Sequence, residues 1–215
     1  MTMSYKYYFI CAVSLIFIAS CAKKKEEDQL SSVSPISTID GSWSTSCENG
    51  AGVQQVFTNA GASYSTITAN YYYDSGCSHL AYTMDIVQSY VVSNWQTEDA
   101  RQVGDINWTY IHVYITPKDS QVAAAMNSSA LCGITGWSGG VSITVDGLTC
   151  GSITLPTAGT VEYDMIQYTL NSTLKDQGFT PGDLSYGLSD ANHDGTSPSS
   201  RPVQSNSSLR MQKRN

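Results

Sequence analysis

The chain has 215 residues, a formal net charge of −7 at pH 7 and fourteen tyrosines. Residues 38–200 carry fifteen acidic and three basic side chains, and the last fifteen residues add four bases. A body this acidic argues against binding to nucleic acid and against lying flat on anionic lipid, because both partners are themselves negative. Abundant tyrosine, glycine, serine and threonine favour one all-β domain large enough to bury a sizeable core.

The first twenty residues are typical of a bacterial export signal. Lys6 precedes an apolar run from Phe9 to Ile18, which is too short to remain as a membrane span. The run ends in Ile18-Ala19-Ser20-Cys21, which resembles the lipobox of bacterial lipoproteins. We therefore predict that Cys21 is lipidated by palmitate-like acyl chains, each buried methylene of which contributes about 0.8 kcal/mol to anchoring. Ala22, where retained lipoproteins have aspartate, favours the outer membrane by resemblance.

The segment after the anchor is predicted to be a flexible tether, because residues 21–37 are charged and serine-rich with little to bury. Residues 38–215 form the predicted domain. Cys11 leaves with the signal and Cys21 is lipidated, so four of the six cysteines remain in an exported chain. An even number predicts two disulfides, for which three pairings are open. The close cysteine pairs of a zinc site are absent from the sequence, and we predict no cofactor.

Alternation of apolar and polar residues predicts that most of the domain is β-structure. The predicted strands cover 41–47, 53–58, 63–73, 80–93, 105–116, 141–145, 159–170, 183–188 and 207–213, with a polar loop over 95–104. Thr116 as N-cap and Pro117 at the first helical position predict one helix over 117–131. About eight antiparallel strands with one helix favour a closed up-and-down β-barrel over a sandwich.

Four short features of the sequence resemble one known family. They are Gly41-x-Trp43 with Cys47, the Tyr71-Tyr72-Tyr73 strand before Cys77, the Leu80-Ala81-Tyr82-Thr83 strand, and Arg201-Pro202. Together they are similar to the lipocalin-like domain of the adenomatosis-polyposis-coli-down-regulated family, which comprises cell-surface Wnt antagonists and bacterial lipoproteins of similar pattern. The resemblance covers most of residues 41–210. It implies a lipocalin-like barrel with a hydrophobic pocket, but not signalling, because this chain has one copy of the domain and a lipid anchor.

The resemblance also implies roles for particular residues. It supports a disulfide between Cys47 and Cys77, and the simplest arrangement then pairs Cys132 with Cys150. In lipocalins an arginine near the end of the chain packs over the tryptophan of the first strand. We therefore expect Arg201 to close the barrel over Trp43, with Arg210 as the alternative.

The strand over 105–116 has an aromatic face that is the strongest candidate for a ligand site. Its residues are Trp108, Tyr110, His112 and Tyr114. Aromatic side chains with polar tips suit an amphipathic ligand inside a barrel. In the alternative interpretation the opposite face, with Val113 and Ile115, fills the core and the aromatic face points outwards. The sequence leaves both interpretations open.

One motif suggests a serine hydrolase. Residues 136–140 (Gly-Trp-Ser-Gly-Gly) fit a nucleophile elbow around Ser138, and Asp164 or Asp183 followed by His193 gives the hydrolase chain order. The elbow requires a strand, a turn and then a helix, whereas here a predicted helix precedes the motif and β-structure follows. Hydrolysis is therefore the least favoured function, and we predict that the protein is not an enzyme.

A second motif suggests a calcium loop. Asp190, Asn192 and Asp194 match its first, third and fifth positions, but Arg201 stands where a bidentate glutamate belongs. A loop capped by its own Asx side chains explains the motif more simply.

The sequence therefore predicts an outer-membrane-anchored lipoprotein with a lipocalin-like barrel that binds a small hydrophobic or amphipathic ligand. The alternative is a non-enzymatic interaction or adhesion module of the cell envelope with a solid barrel. In both cases the membrane is contacted through the N-terminal lipid, and nucleic acid is not a partner.

Overall fold

A computed structural model describes residues 38–47, 50–60, 62–171 and 177–214. The predicted signal sequence, Cys21 and the tether lie outside the described residues. The elements are β1 (Gly41–Ser44), β2 (Ala51–Ala60), β3 (Ala62–Tyr72), β4 (Leu80–Glu98), β5 (Arg101–Pro117), α1 (Ser120–Ser128), β6 (Ile143–Thr144), β7 (Thr149–Cys150), β8 (Ile153–Thr154), β9 (Val161–Thr169), β10 (Leu184–Gly187) and β11 (Ser205–Lys213).

Eight strands close into an antiparallel barrel, which confirms the predicted fold class of a β-barrel with a helix. Their order around the ring is β4-β3-β2-β1-β11-β10-β9-β5, and β5 pairs back with β4. The first strand closes the ring by pairing with the last, with Trp43 opposite Lys213 and Ser44 opposite Gln212. The ring follows the chain from one antiparallel neighbour to the next, with the segment that contains α1 placed between β5 and β9.

The barrel interior is filled by large side chains from seven of the eight strands or their immediate flanks. The buried residues of this core are Ile39, Trp43, Phe57, Tyr90, Ile106, Trp108, Ile166, Leu184, Tyr186 and Met211. Four aromatic rings meet at its centre: Phe57 lies 5.3 Å from Tyr90 and 5.9 Å from Trp108, and Trp108 lies 5.6 Å from Tyr186, between ring centroids. Edge-to-face contacts at these separations favour close packing of the rings.

A β-bulge in β5 changes which residues face inwards. Gln88 of β4 pairs with Tyr110, but its neighbour Val87 pairs with His112, so Ile111 is the extra residue. Because side chains alternate along a strand, one extra residue exchanges the two faces. Ile106 is buried before the bulge and Val113 is buried after it.

The second half of β5 carries a second core, which includes α1. Its buried members are Val113, Ile115, Val122, Ala123, Met126, Cys132, Trp137, Val145 and Leu155. The disulfide between Cys132 and Cys150 joins residues in this part of the chain, and Cys47 is bonded to Cys77, which confirms both predicted pairings. The Cα atoms are 4.1 Å and 6.0 Å apart, respectively.

The helix begins later than predicted. Asp119 is its N-cap, and the Asp119 carboxylate accepts hydrogen bonds from the backbone N–H groups of Gln121 (2.9 Å) and Val122 (3.0 Å). Aspartate satisfies these otherwise unpaired donors well. Pro117, predicted as the first helical residue, is instead the last residue of β5, opposite Tyr82.

The predicted loop over 95–104 is also wrong. The strand β4 continues to Glu98 and β5 starts at Arg101, so a tight turn at Asp99 and Ala100 joins two long strands. Asp99 adopts a positive φ of 44°, which aspartate tolerates better than most residues. The polar composition that suggested a loop belongs to strands with exposed side chains.

Candidate functional site

The four aromatic residues predicted to line a pocket do not share one face, because the bulge at Ile111 divides them. Trp108 is 4% exposed in the barrel core, and the Tyr110 hydroxyl donates a hydrogen bond to the Glu162 carboxylate. His112 lies on the outside, where its Nδ1 is 2.8 Å from Asp146 Oδ2. The ring of Tyr114 is 5.6 Å from that of His112. The interpretation in which the aromatic face points inwards therefore holds for Trp108 and Tyr110, before the bulge. The interpretation in which it points outwards holds for His112 and Tyr114, after it.

Several amide and hydroxyl groups in the barrel interior are paired with one another. Gln55 is fully buried; its Nε2 donates to Ser65 Oγ at 2.7 Å, and its Oε1 accepts from the Tyr186 hydroxyl. Buried polar groups are stable only when paired in this way. The buried Gln88 Nε2 has no partner among the described residues. These side chains occupy the middle of the barrel, where the resemblance implies a ligand.

The cation that lies over the Trp43 ring is not the one expected from the resemblance. Its indole is 1% exposed, the Nε1–H donates to the Ile39 carbonyl at 2.8 Å, and Lys213 Nζ lies 5.4 Å from the ring centroid. Lys213 reaches this position because it is paired with Trp43 across β1 and β11. The predicted contact of Arg201 with Trp43 is replaced by this one.

Arg201 instead binds two neighbouring strands, β5 and β9. Its guanidinium donates to the Ile106 carbonyl at 2.9 Å, to Asn107 Oδ1 at 2.7 Å and to the Asp164 carbonyl. The group also lies 5.6 Å from the centroid of the Tyr163 ring. Arg201 thus joins the strands by bonds to their backbone.

The aspartate and histidine residues of the hydrolase motif have other partners. His193 Nδ1 is 3.0 Å from Asp190, and Asp183 accepts from the Thr180 N–H at 2.5 Å and from its hydroxyl at 3.1 Å. A Ser-His-Asp relay needs hydrogen bonds among its own members, and these contacts provide none. One glycine of the motif has a structural reason: a Cβ on Gly139 would lie 2.4 Å from the backbone of Asp119, where α1 begins.

The carboxylates of the calcium-like loop cap the loop itself. Asp190 Oδ1 accepts from the backbone N–H groups of Asn192 (2.8 Å) and His193 (2.9 Å), and Asp194 Oδ1 accepts from Thr196 N–H (3.0 Å). The pKa of Asp190 is lowered mainly by the His193 side chain, and the pKa of Asp194 mainly by the Thr196 N–H. Within the described ranges, no three histidine, cysteine or acidic side chains are grouped to hold a metal ion.

Asp164 is an unusual carboxyl that sequence analysis considered only as part of a triad. Its Oδ1 accepts from the backbone N–H groups of Gly187 (3.0 Å) and Met165 (2.7 Å). The pKa of Asp164 is raised to about 6, mainly by burial and to a smaller extent by the Glu162 carboxyl, against the lowering effect of the two N–H donors and of Arg201. The available sequence signal was the spacing of Glu162, Asp164 and Ile166. Residues two apart on a strand share a face, so the two carboxyls lie on the same face as the apolar Ile166, which is directed inwards.

Asp164→Asn is expected to become more stabilising, relative to the natural chain, as the pH rises. The folded pKa of about 6 lies above the ordinary value of 3.8, so the folded state binds the proton more tightly. The stability from Asp164 is therefore complete below about pH 4 and is lost as the pH rises through about 6. Asparagine keeps an acceptor oxygen and stays neutral. The melting-temperature difference between variant and natural chain should grow by roughly 5 °C between pH 4 and pH 7.5; an equal difference at both pH values would contradict the raised pKa.

A groove of about 410 Å³ opens where β1 ends, between β2 and β11. It arises because β1 has four residues, whereas its neighbours β2 and β11 have ten and nine. Its lining residues are Ser44, Thr45, Ser46, Ala51, Gly52, Val53, Thr180, Asp183, Ser208, Leu209, Arg210 and Gln212. A smaller pocket of about 110 Å³ shares Thr45, Gly52 and Val53 with this groove and includes Arg214. We call the two together the β1-end groove.

Comparison with known proteins gives no relative from which a role can be taken. No protein-family model matches the chain, and no curated protein matches its sequence. In the part of the chain that the structure describes, none of the helices has both the length and the apolar character needed to cross a membrane. The chemistry of the described residues is therefore the basis for a function.

Proposed function

We propose that this protein is a lipid-anchored, non-enzymatic binding module of the bacterial outer envelope that acts through the outer surface of a solid barrel. The observation that carries the proposal is the filled interior. Trp43, Phe57, Trp108 and Tyr186 pack inside the ring together with the paired amide of Gln55. A barrel that carries a small molecule needs a cavity of roughly 300–1,000 Å³ in that place.

The outer surface offers a concave site of suitable size. The larger part of the β1-end groove, about 410 Å³, falls in the range of ligand sites and lies between β2 and β11, where β1 has ended. This favours an external partner over the internal hydrophobic ligand that the resemblance implies.

The anchor part of the proposal is supported by the sequence alone. Ile18-Ala19-Ser20-Cys21 provides the lipidated residue, and residues 22–37 provide the tether. Lipid attachment at one end would leave the barrel surface facing its partner. The lipocalin-like family remains a proposal on the same footing, supported by the barrel and by the Cys47–Cys77 disulfide.

Native mass spectrometry of the full-length protein, extracted gently from bacterial membranes in a non-ionic detergent, tests both parts. The expected mass is that of residues 21–215 with the lipid on Cys21, with no further molecule bound in stoichiometric amount. The matched control is Cys21→Ala, which should give an uncleaved or soluble product without lipid.

Two results would contradict the proposal. A stoichiometric hydrophobic molecule released only on unfolding would show that the interior carries a ligand. Membrane partitioning of Cys21→Ala equal to that of the natural chain would remove the lipid anchor.

A further inference from the structure

Two basic residues lie beside the β1-end groove: Arg210 lines its larger part and Arg214 its smaller part. Lys213, between them in the chain, lies over the Trp43 ring instead. Residues 38–200 contain only three bases. Leu209 and Met211 pack against the barrel core, so Arg210 and Gln212 project from the opposite face of β11. Two cations at one groove are notable on a domain that is otherwise acidic.

The pairing of β11 with β1 places both arginines along the groove. Gln212 is paired with Ser44, and the Arg214 N–H donates to the Ser42 carbonyl at 2.8 Å, so the chain beyond β11 continues beside β1. Arg210 and Arg214 are four residues apart, which places their Cα atoms about 13 Å from each other in an extended chain. The two charges therefore stand at separate points along one elongated site.

Each guanidinium is oriented but retains free donors. Arg210 Nη1 donates to the Gly178 carbonyl, and Arg214 Nε donates to Ser44 Oγ at 2.7 Å. A guanidinium has five N–H donors, and these are its only side-chain hydrogen bonds among the described residues. Both side chains are exposed. A planar group held in this way suits bidentate binding of a carboxylate or phosphate.

Apart from Asp183, the rest of the lining is uncharged and rich in hydroxyl groups. Ser44, Thr45, Ser46, Thr180 and Ser208 provide hydroxyls. The acid in the lining, Asp183, is buried and accepts hydrogen bonds from Thr180 and Gln212. The Asp183 carboxylate is thus hydrogen-bonded to residues of the groove itself. The groups that remain for a ligand are the hydroxyls and the two cations, Arg210 and Arg214.

We infer that the β1-end groove binds an elongated, hydroxyl-rich anion of the acidic oligosaccharide class, with its acid groups on Arg210 and Arg214 and its hydroxyls on the serine and threonine side chains between them. The inference rests on the proposed function, because it names the chemistry of the ligand that the outer surface takes. A lipid surface fits the site less well, because a broad anionic surface would lie against the acidic body, whereas a short oligosaccharide contacts only the groove.

Isothermal titration of the full-length protein in non-ionic detergent with tetragalacturonate at low salt tests the inference. Binding should be saturable, and Arg210→Gln and Arg214→Gln should each weaken it by about tenfold or more, because each removes a charge-assisted contact. Arg210→Lys and Arg214→Lys should give intermediate affinity, because they keep the charge and lose the fork. Lys118→Gln is the charge-matched control, since Lys118 is exposed near the start of α1, and it should bind as the natural chain does.

Three further probes separate the sources of binding. Neutral maltotetraose should not bind, and linear tetraphosphate, which lacks hydroxyls, should bind at least about tenfold more weakly than tetragalacturonate. Vesicles of phosphatidylglycerol should not compete. The inference is overturned by absence of tetragalacturonate binding, by equal binding of the Arg210→Gln/Arg214→Gln variant, by equal affinity for tetraphosphate, or by arginine-dependent binding to the vesicles.

The two proposals fail separately. A molecule retained inside the barrel refutes the proposed function and leaves this titration interpretable. Absence of tetragalacturonate binding refutes only the inference about the groove. Melting temperatures of the arginine variants near that of the natural chain establish that lost binding is not lost folding.

Discussion

Trp43→Ala is expected to lower the free energy of unfolding by about 3–5 kcal/mol, because it empties a fully enclosed site in the core. The indole is 1% exposed, and its edge-to-face contact with Tyr168 has a centroid separation of 6.1 Å. Truncation also leaves the buried Ile39 carbonyl without the Trp43 N–H that it accepts. Urea unfolding of the chain from residue 22 onwards, followed by circular dichroism, measures the loss.

Two controls separate the causes of this loss. Trp43→Phe keeps an aromatic ring and removes the N–H, so its loss should be clearly smaller than that of alanine. Lys213→Ala removes the exposed cation above the ring and should cost about 1 kcal/mol or less. If Lys213→Ala matched Trp43→Ala, the cation rather than the buried indole would hold this end of the barrel closed.

Arg201→Ala is expected to cost about 2–4 kcal/mol, since it leaves partly buried acceptors without their charged donor. The arginine side chain is 15% exposed, and its Nε lies 3.5 Å from Asp105 in addition to the contacts with Ile106 and Asn107. Thermal melts of Arg201→Ala, Arg210→Ala and Lys213→Ala measure the order. The sequence predicted Arg201 as the most important of the three, and the structure supports that order through contacts with β5 and β9.

The expected order of the three alanine variants depends on how deeply each side chain is buried, because all three carry the same charge. Arg210 and Lys213 are exposed, and surface cations contribute about 0–1 kcal/mol. Arg201→Lys is the matched variant, because lysine cannot reach two carbonyls and an amide in one plane; it should recover only part of the loss. Equal melting temperatures for all three alanine variants would mean that the Arg201 contacts contribute nothing measurable.

Local pattern was sufficient for most of the ring, because the alternation in β2, β3 and β9 is strong. The disulfides needed more, since four cysteines allow three pairings and the family resemblance was what favoured Cys47 with Cys77. The bulge was not predictable, because both faces of β5 are partly apolar: Trp108 and Val113 each fit a core, and only pairing with β4 shows where the extra residue falls.

The candidate site was harder to predict than the fold. Thr45 and Cys47 continue the alternation of β1, so no local signal marks the end of the strand at Ser44 or the groove that opens there. Which cation covers Trp43 depends on the pairing of β1 with β11, a contact between the two ends of the domain. The family resemblance suggested an arginine there, but the register places Lys213 opposite Trp43.

The position of the helical segment bears on how the length of such a chain can vary. Thr109 of β5 is opposite Val161 of β9, and the Tyr110 N–H donates to the Thr160 carbonyl at 3.0 Å. The chain therefore leaves the ring at β5 and returns to it on the adjacent strand. Residues 118–158, which include α1, are in topological terms an insertion into a hairpin. A homologue could lengthen or shorten this segment while it keeps all eight strands of the barrel.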